Sequence, residues 1–285
     1  MKLCYQVATP DVAASPALTC YQGPLEKSLS DLATLGYDGA EFMTIEPARL
    51  NVREIGELLR ELGLSVPLVC TGEVFPQLGV SFTDPDSGKR AQAVEKVLEL
   101  TEFAAQLDAN INIGRVRGCY APERVAPEQT EEWLVEALAR VSDYAADRGV
   151  LVAIETVSIL QTNLLNTLQE AGEIAERTGR KNLGWMLDTF HLNLEERSLL
   201  DAVRGYGGSC FHVHLCDSNR RYPGNCSLDF EKILEAFHES GYDGSFTVEV
   251  MQLPDMYEAA KRSVEHLSPL FERIYGRPRR DVHAL

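Results

Sequence analysis

The sequence predicts an α/β protein folded as a closed (β/α)8 barrel. Short apolar segments alternate with longer amphipathic ones along all 285 residues, eight such apolar segments occur, and no Ser-, Gly- or Pro-rich linker divides the chain. The apolar fraction of 45% is enough for the large core that a barrel buries. We therefore expect one domain spanning residues 1–285, with a doubly wound open sheet as the alternative fold.

The eight apolar segments have the composition of buried strands. Parallel strands covered on both faces read as nearly continuous apolar runs, because neither face meets water. The predicted strands are LCYQVAT (3–9), DGAEFM (38–43), SVPLVCTG (65–72), ANINIG (109–114), LVAIETV (151–157), LGWMLDTFH (183–191), SCFHVHLCD (209–217) and GSFTVEVM (244–251).

The segments between these strands show the apolar spacing of helices. In residues 90–107 and 130–149, leucine, valine and alanine recur every three to four positions. One strand and one helix take about 30 residues, so eight units in about 250 residues match a closed barrel.

The tetrapeptide GYDG occurs twice, at 36–39 and 241–244, each time after a predicted helix and before a predicted strand. We interpret both copies as structural, since the N-terminal ends of barrel strands contribute stability and not chemistry. The first glycine is expected to end a helix and the tyrosine to cover the bottom of the barrel.

Charge and composition exclude several function classes. The chain has 43 acidic and 27 basic residues, and its net charge of −16 argues against nucleic acid as a partner. A local basic patch could still bind one phosphate. The apolar runs are far shorter than the ~20 residues that cross a bilayer, so no membrane association is expected.

Cysteine usage and the N-terminal segment indicate a cytoplasmic protein. The seven cysteines form no CxxC pair, which argues against a disulfide framework and against a cysteine zinc site. Gln6, Thr9, Pro10 and Asp11 interrupt the N-terminal segment, so it lacks the apolar region of an export signal.

The last four predicted strands each carry one metal-binding side chain near the C-terminal end. These residues, Glu155, Asp188, His214 and Glu249, are separated by 33, 26 and 35 residues, close to one βα unit each. A single acid at a strand end is usually solvated, and a single strand histidine is usually a core residue. Four at similar depth in successive units instead predict one site.

Three carboxylates and an imidazole in one place would repel each other without a cation. Their oxygen and nitrogen atoms, without thiolate, suit one divalent ion: Mn²⁺ first, with Mg²⁺, Co²⁺ or Zn²⁺ as alternatives. His212 lies on the same strand face as His214, one layer deeper, and we interpret it as a packed or supporting group. Cys216 and Asp217, at the start of the next loop, are assigned no chemistry.

Four stretches carry a resemblance to a known family: IETV (154–157), LDTFHLNLEE (187–196), HVHLCDSNRRYPG (212–224) and GYDGSFTVEV (241–250). They resemble the sugar phosphate isomerase/epimerase superfamily of xylose isomerase-like TIM barrels, and most closely its ketose 3-epimerases of the D-tagatose/D-psicose 3-epimerase type. The resemblance covers essentially the whole chain, with the specific motifs confined to residues 151–251.

This resemblance implies a site and a reaction. It implies that Glu155, Asp188, His214 and Glu249 bind one divalent metal, and that His191 and Arg220 hold oxygens of the substrate, a sugar or sugar phosphate. The metal would act as a Lewis acid that stabilises an enediolate, while Glu155 and Glu249 remove and return the proton that inverts C3. The family also implies a homo-oligomer, either a dimer or a tetramer.

Some residues of the resemblance have a second interpretation. The family often carries a glutamate at the position of Gln161, where this chain keeps a polar contact with the substrate but loses a charge. His191 could instead orient Asp188. Arg220 could be a surface loop residue, or it could bind a substrate phosphate beside Arg221.

Other functions on the same barrel remain as alternatives. An aldose–ketose 1,2-isomerase of the hydroxypyruvate isomerase type, or an inosose-type dehydratase, would use the same metal site. A DNA-repair endonuclease would need more histidines from the early strands, and none precedes His191. A non-catalytic binding protein is disfavoured because all four ligands are present.

Three further segments have predicted positions. Residues 21–27 and 72–89 are rich in glycine and proline and are expected to form the rim that covers the substrate. Within the second, Glu73 could reach the pocket from the other side, but a solvated loop acid is the preferred interpretation. The basic segment YGRPRRDVHAL (275–285) is expected to be a tail or a subunit contact.

Overall fold

The computed structural model describes residues 1–276 and shows a closed barrel of eight parallel strands in chain order. Each strand pairs with the next, and the first pairs with the last through Lys2–Tyr5 and Ser245–Val248, which excludes the open sheet. The predicted fold is confirmed. The strands are β1 (Lys2–Ala8), β2 (Gly39–Met43), β3 (Leu68–Cys70), β4 (Asn110–Ile113), β5 (Val152–Glu155), β6 (Leu183–Asp188), β7 (Val213–Leu215) and β8 (Ser245–Val248).

Helices connect the strands and surround the barrel. The predicted helices at 90–107 and 130–149 are present, each beginning and ending about three residues or fewer before its predicted bounds. The helices are α1 (Leu25–Leu35), α2 (Val52–Glu61), α3 (Val74–Leu78), α4 (Ser87–Gln106), α5 (Pro127–Ala146), α6 (Leu168–Thr178), α7 (Thr189–Glu195), α8 (Leu199–Tyr206), α9 (Phe230–Glu239) and α10 (Met256–Tyr275).

The two GYDG copies end helices as predicted. Gly36 and Gly241 have φ values of 92° and 80°, a left-handed conformation that glycine adopts without steric cost. The hydroxyl of Tyr37 donates to the carbonyl of Ala260 in α10, and its ring packs edge-on against Tyr5 at 5.4 Å between centroids. Tyr37 therefore lies between β1 and α10, so the expectation that it covers the bottom of the barrel is wrong.

The barrel interior changes from apolar to polar toward the C-terminal ends of the strands. Leu68, Ala153 and Met186 form a buried apolar cluster inside the barrel. Alternation along the strands places Cys70, Glu155 and Asp188 two residues later, one layer higher on the same inward face. The fold thus places a polar layer of inward side chains above an apolar base, at the end where barrel enzymes carry their sites.

Two further expectations concern membrane-spanning helices and the C-terminal segment. Across residues 1 to 276, no helix has both the length and the apolar character needed to cross a membrane. The predicted tail or subunit contact at 275–285 falls, beyond Gly276, outside the described residues.

Candidate metal centre and substrate pocket

The four predicted ligands converge at the C-terminal mouth of the barrel. Glu155 and Asp188 are the last residues of β5 and β6, His214 lies within β7, and Glu249 directly follows β8. All four are buried, and one donor atom of each lies within 4.8 Å of the others. Nδ1 of His214 is at the centre, 2.7 Å from Oε2 of Glu249, 3.4 Å from Oε1 of Glu155 and 3.6 Å from Oδ2 of Asp188.

Each carboxylate of this cluster has its other oxygen held by the surrounding chain. Nδ2 of Asn112 donates to Oε2 of Glu155 at 2.9 Å. The backbone N–H of Phe190 donates to Oδ1 of Asp188 at 2.8 Å. Oγ1 of Thr19 donates to Oε1 of Glu249 at 2.6 Å. These bonds fix the carboxylates, so that the remaining oxygens face one point.

The donor atoms at that point fit a divalent cation. Nδ1 of His214 and Oε2 of Glu249 are buried and make no hydrogen bond among residues 1–276, although they lie 2.7 Å apart and a guanidinium nitrogen of Arg220 lies 2.7 Å from the same oxygen. Buried polar atoms without partners are rare unless an ion or water belongs there. A set of three carboxylates and one imidazole is a common divalent-metal set.

The two glutamates of the cluster have opposite pKa shifts. Burial, with the charges of Glu249 and Asp188, raises the pKa of Glu155 against the opposing effect of His214. Burial also acts to raise the pKa of Glu249, but the charges of Arg220 and His214 outweigh it and lower that pKa. Opposite shifts in paired carboxyl groups are typical of acid–base sites.

Arg220 is buried, although it lies in a loop. Its Nη1 lies 2.7 Å from Oδ2 of Asp188 and its Nη2 lies 2.7 Å from Oε2 of Glu249. Only 8% of the residue is exposed, which excludes the surface-loop interpretation. Arg221, by contrast, is exposed.

Asp217 organises the loop that carries Arg220. Its carboxylate accepts hydrogen bonds from four backbone N–H groups of the following loop, those of Ser218, Gly224, Cys226 and Leu228. The residue assigned no chemistry therefore has a structural role: it fixes the loop that brings Arg220 over the cluster.

His191 lies beside the cluster in a neutral form. Asp188 caps α7, and His191 follows in the first turn of that helix, buried. Burial lowers the pKa of His191 to about 4, and its Nδ1 accepts a hydrogen bond from the backbone N–H of Ser158 at 3.1 Å. The remaining ring proton is then on Nε2. The ring is held by Ser158 and not by the Asp188 carboxylate, so His191 contacts that carboxylate only through its backbone N–H, which donates to Oδ1 at 3.3 Å.

A pocket of about 90 Å³ opens onto the cluster. Glu155, Glu249, His191, Arg220 and Gln161 line it, so the structure brings the predicted substrate contacts to the metal cluster. A larger cavity of about 650 Å³ opens at the other end of the barrel, beside Lys2 and Ser245. We place the chemistry in the smaller pocket because the buried charged groups converge there.

The pocket rim differs in part from the prediction. Glu73 is only 8% exposed and forms an ion pair with Arg115, and both line the pocket. The preferred expectation of a solvated acid is therefore wrong, and the alternative, that Glu73 reaches the pocket, agrees with the structure. The first loop contributes residues 17–19 to the pocket lining, slightly before the predicted segment 21–27. Glu73 was misjudged, and Arg115 was missed, because their positions depend on how the β3 and β4 loops pack together.

Glu41 of β2 is a buried acid that the sequence analysis did not single out. Its carboxylate accepts from Nε2 of Gln6 at 2.8 Å and contacts Nε2 of both His212 and His214. Burial acts to raise the pKa of Glu41, but the two imidazoles hold it well below its usual range. The available signal was a charged residue inside a predicted buried strand. His212 also contacts Oγ1 of Thr247 at 2.9 Å, which agrees with its interpretation as a supporting group.

Comparison with known proteins agrees with this architecture. Residues 29–270 match the family model described as "Xylose isomerase-like TIM barrel". A ketose 3-epimerase from Arthrobacter globiformis is 30% identical over 246 residues, 85% of this chain and 78% of that protein. An L-ribulose 3-epimerase from Mesorhizobium japonicum is 29% identical over 230 residues, 80% of this chain and 76% of that protein.

A solved structure shows the same fold. The D-allulose 3-epimerase from Methylomonas sp., in complex with D-allulose, superposes with a TM-score of 0.78 at 23% identity, covering 94% of this chain and 96% of that one. With a family model that spans most of the chain and a closed barrel that carries its polar cluster at the strand ends, the protein belongs to the xylose isomerase-like TIM barrel family.

Proposed function

We propose that this protein is a divalent-metal-dependent sugar isomerase/epimerase that inverts C3 of a ketose. The observation that carries the proposal is the cluster of Glu155, Asp188, His214 and Glu249, in which two glutamates with opposite pKa shifts flank one imidazole. The similarity to a ketose 3-epimerase and an L-ribulose 3-epimerase supports the choice of reaction.

The cluster would hold one divalent cation, and we propose Mn²⁺. Its all-oxygen-and-nitrogen donor set and its single imidazole favour Mn²⁺ or Mg²⁺ over a thiolate-preferring ion. When bound, the cation supplies Lewis acidity that polarises the substrate carbonyl and the adjacent hydroxyl.

Glu155 and Glu249 would perform the proton transfers. They come from β5 and β8, with β6 and β7 between them, so they reach the pocket from different sides of the barrel mouth. One carboxylate takes the C3 proton, the C–H electrons form the planar enediolate of the substrate, and the other carboxyl group donates a proton to the opposite face. The two carboxyl groups exchange protonation states, and C3 is inverted.

His191, Arg220 and Gln161 would orient the substrate. The Nε2–H of neutral His191 can donate to a sugar oxygen, and the guanidinium of Arg220 lies directly over the two acids Asp188 and Glu249. Gln161 lies on the exposed side of the pocket, where its amide can donate or accept. These contacts would hold the reacting carbon between the glutamates.

The charge of the pocket favours a free ketose over a sugar phosphate. Its charged side chains are four carboxylates, those of Glu73, Glu155, Asp188 and Glu249, and two guanidiniums, those of Arg115 and Arg220. One divalent cation brings this formal charge to zero. A phosphate would add roughly two negative charges beside them, and both guanidiniums already pair with carboxylates.

We also propose a cytoplasmic homo-oligomer. All seven cysteines are free and five are buried, which suits a reducing compartment. Ile159 and Leu160, in the loop after β5, are 60% and 76% exposed, and Leu194 of α7 is 45% exposed, which supports coverage of this surface by a second copy. Sedimentation equilibrium of the full chain tests the oligomeric state.

The reaction is tested by proton NMR in D₂O with free ketoses, ketose phosphates and ring ketones. The protein is loaded with Mn²⁺ for turnover, and the ion is removed before the spectra are recorded. We expect metal-dependent deuterium uptake at C3 with appearance of the C3 epimer, and no uptake with a chelator or with Glu249→Gln. Uptake at C1 with an aldose product would instead establish 1,2-isomerisation, and loss of water from a ring ketone would establish a dehydratase.

A further inference from the structure

The carboxylate of Glu41 lies inside the barrel between two imidazoles, directly below the metal cluster. Nε2 of His214 is 3.0 Å from both of its oxygens, and Nε2 of His212 is 2.9 Å from Oε2. Glu41 is fully buried, and these contacts satisfy both of its oxygens. A buried carboxylate with this many N–H partners is part of a built network.

This contact determines which nitrogen of His214 carries the proton. An ionised carboxylate only accepts hydrogen bonds, so the nitrogen facing Glu41 must be the N–H. In the neutral ring, the form that can bind a cation, the lone pair is then on Nδ1, the atom that faces Glu155, Asp188 and Glu249 and has no hydrogen-bond partner in the described part of the chain.

Glu41 is itself fixed in place. Nε2 of Gln6 donates to its Oε1 at 2.8 Å, and His212, which approaches its Oε2, also contacts Oγ1 of Thr247. The carboxylate therefore cannot turn away from His214 without losing three contacts at once. Burying the Glu41 carboxylate costs desolvation free energy, and that cost is a reason to expect that the buried charge has a function.

We propose that Glu41 is a positioning residue for the metal centre: it holds His214 as a Nδ1 ligand and so raises the affinity of the site for a divalent cation. The proposal rests on the proposed metal centre but not on the identity of the sugar. Carboxylates that accept the second N–H of a ligating histidine act this way in other metal sites, by orienting the ring and increasing its basicity.

The test is a Mn²⁺ titration of the metal-free protein, followed by the EPR signal of the free ion at neutral pH. We expect one Mn²⁺ per chain for the wild type, and a dissociation constant about 10- to 100-fold higher for Glu41→Gln. Glu41→Asp should fall between the two, because its shorter side chain keeps the charge but lengthens the contact. Thr101→Val, an equally buried change in helix α4 whose hydroxyl donates to the backbone carbonyl of Val97, is the control and should stay within about twofold of the wild type.

A second measurement does not require the variants to fold. Nitrogen-15 NMR of the imidazoles in the Mg²⁺-loaded wild type should show the His214 proton on Nε2. A proton on Nδ1 would overturn the proposal, as would an unchanged Mn²⁺ affinity in folded Glu41→Gln.

The stoichiometry separates two further outcomes. Two ions per wild-type chain, with one lost in Glu41→Gln, would make Glu41 a ligand of a second site formed with His212 and His214, and would also overturn the proposal. A wild type that binds no Mn²⁺ would refute the metal centre itself, independently of the role of Glu41.

Discussion

Arg220 and Glu249 form a buried contact in which Nη2 of the arginine lies 2.7 Å from Oε2 of the glutamate. The same oxygen lies 2.7 Å from Nδ1 of His214, and the other guanidinium nitrogen, Nη1, lies 2.7 Å from Oδ2 of Asp188. One guanidinium therefore pairs with two of the three carboxylates in the cluster. It lowers the negative charge of the site while leaving a planar set of donors at the pocket wall.

Replacing Arg220 should separate metal binding from catalysis. For Arg220→Met we expect Mn²⁺ affinity to be unchanged or higher, because a competing cation is removed, and kcat/KM to fall by about 100-fold or more, because substrate orientation is lost. EPR titration and steady-state kinetics measure the two quantities. Arg221→Met, at the exposed neighbouring position, should match the wild type in both. Loss of Mn²⁺ binding in Arg220→Met would show that the arginine supports the ligands and not the substrate.

Mn²⁺ should stabilise the wild type much more than Glu155→Gln, whereas without metal the variant should be at least as stable as the wild type. Without metal, Glu155 crowds two other carboxylates, so Glu155→Gln should melt at or above the wild-type temperature. With Mn²⁺ at about 100 times its dissociation constant, the wild type should gain roughly 2.7 kcal/mol, and the variant should gain much less. Thermal melting with and without chelator provides the comparison. A metal-free variant that melts well below the wild type would contradict the repulsion argument.

The neutral state of His191 makes a specific contribution to acid sensitivity. Its pKa is lowered from 6.5 to about 4 by burial, so between these values the unfolded chain binds more protons than the folded one. The free energy of unfolding should therefore fall as the pH is lowered from 7 to 5, with roughly 2 kcal/mol due to His191.

Urea unfolding of His191→Asn at both pH values measures this contribution. The asparagine oxygen can replace Nδ1 as acceptor for Ser158, so the variant should keep the contact and lose that share of the pH dependence. His238→Asn, an exposed histidine in α9, is the control. An identical pH dependence in His191→Asn and wild type would refute the assignment.

Gln161 should influence the choice of sugar and leave the metal centre unaffected. Gln161→Glu restores the acid that the family often carries, and a charged acceptor adds a stronger hydrogen bond to one sugar hydroxyl. We expect the ratio of kcat/KM between ketoses that differ at C4 or C5 to change by about tenfold or more, with Mn²⁺ affinity nearly constant. Gln161→Ala is the companion variant. A uniform change across all sugars would place Gln161 outside the specificity contacts.

Arg117 should be essential for stability, although it pairs with no carboxylate among residues 1–276. It is fully buried and donates to backbone carbonyls of Glu155, Gly114 and Leu164, which join the ends of β4 and β5 to the loop before α6. Arg117→Met should lower the free energy of unfolding by about 3 kcal/mol or more, because these carbonyls lose their charged donor. Urea unfolding measures the loss. The exposed Arg140→Met should change stability by less than about 0.5 kcal/mol.

The sequence by itself determined the barrel and the four residues of the candidate metal site. Strand composition and helix periodicity are local properties, and parallel strands of one barrel must end at the same face. Glu155, Asp188, His214 and Glu249 could therefore be assigned to one site from their spacing alone. The fold placed them within reach of one another, as that spacing requires.

Only the tertiary structure decided the contacts that cross the barrel or join separate loops. Glu41 meets His214 because inward side chains of β2 and β7 share one layer, which depends on the stagger of the closed sheet and not on any local pattern. Glu73 is buried because the β4 loop brings Arg115 to it, and Tyr37 lies under α10 because of helix packing. Periodicity specifies which face a residue occupies, whereas its partner on that face is set by how distant segments pack.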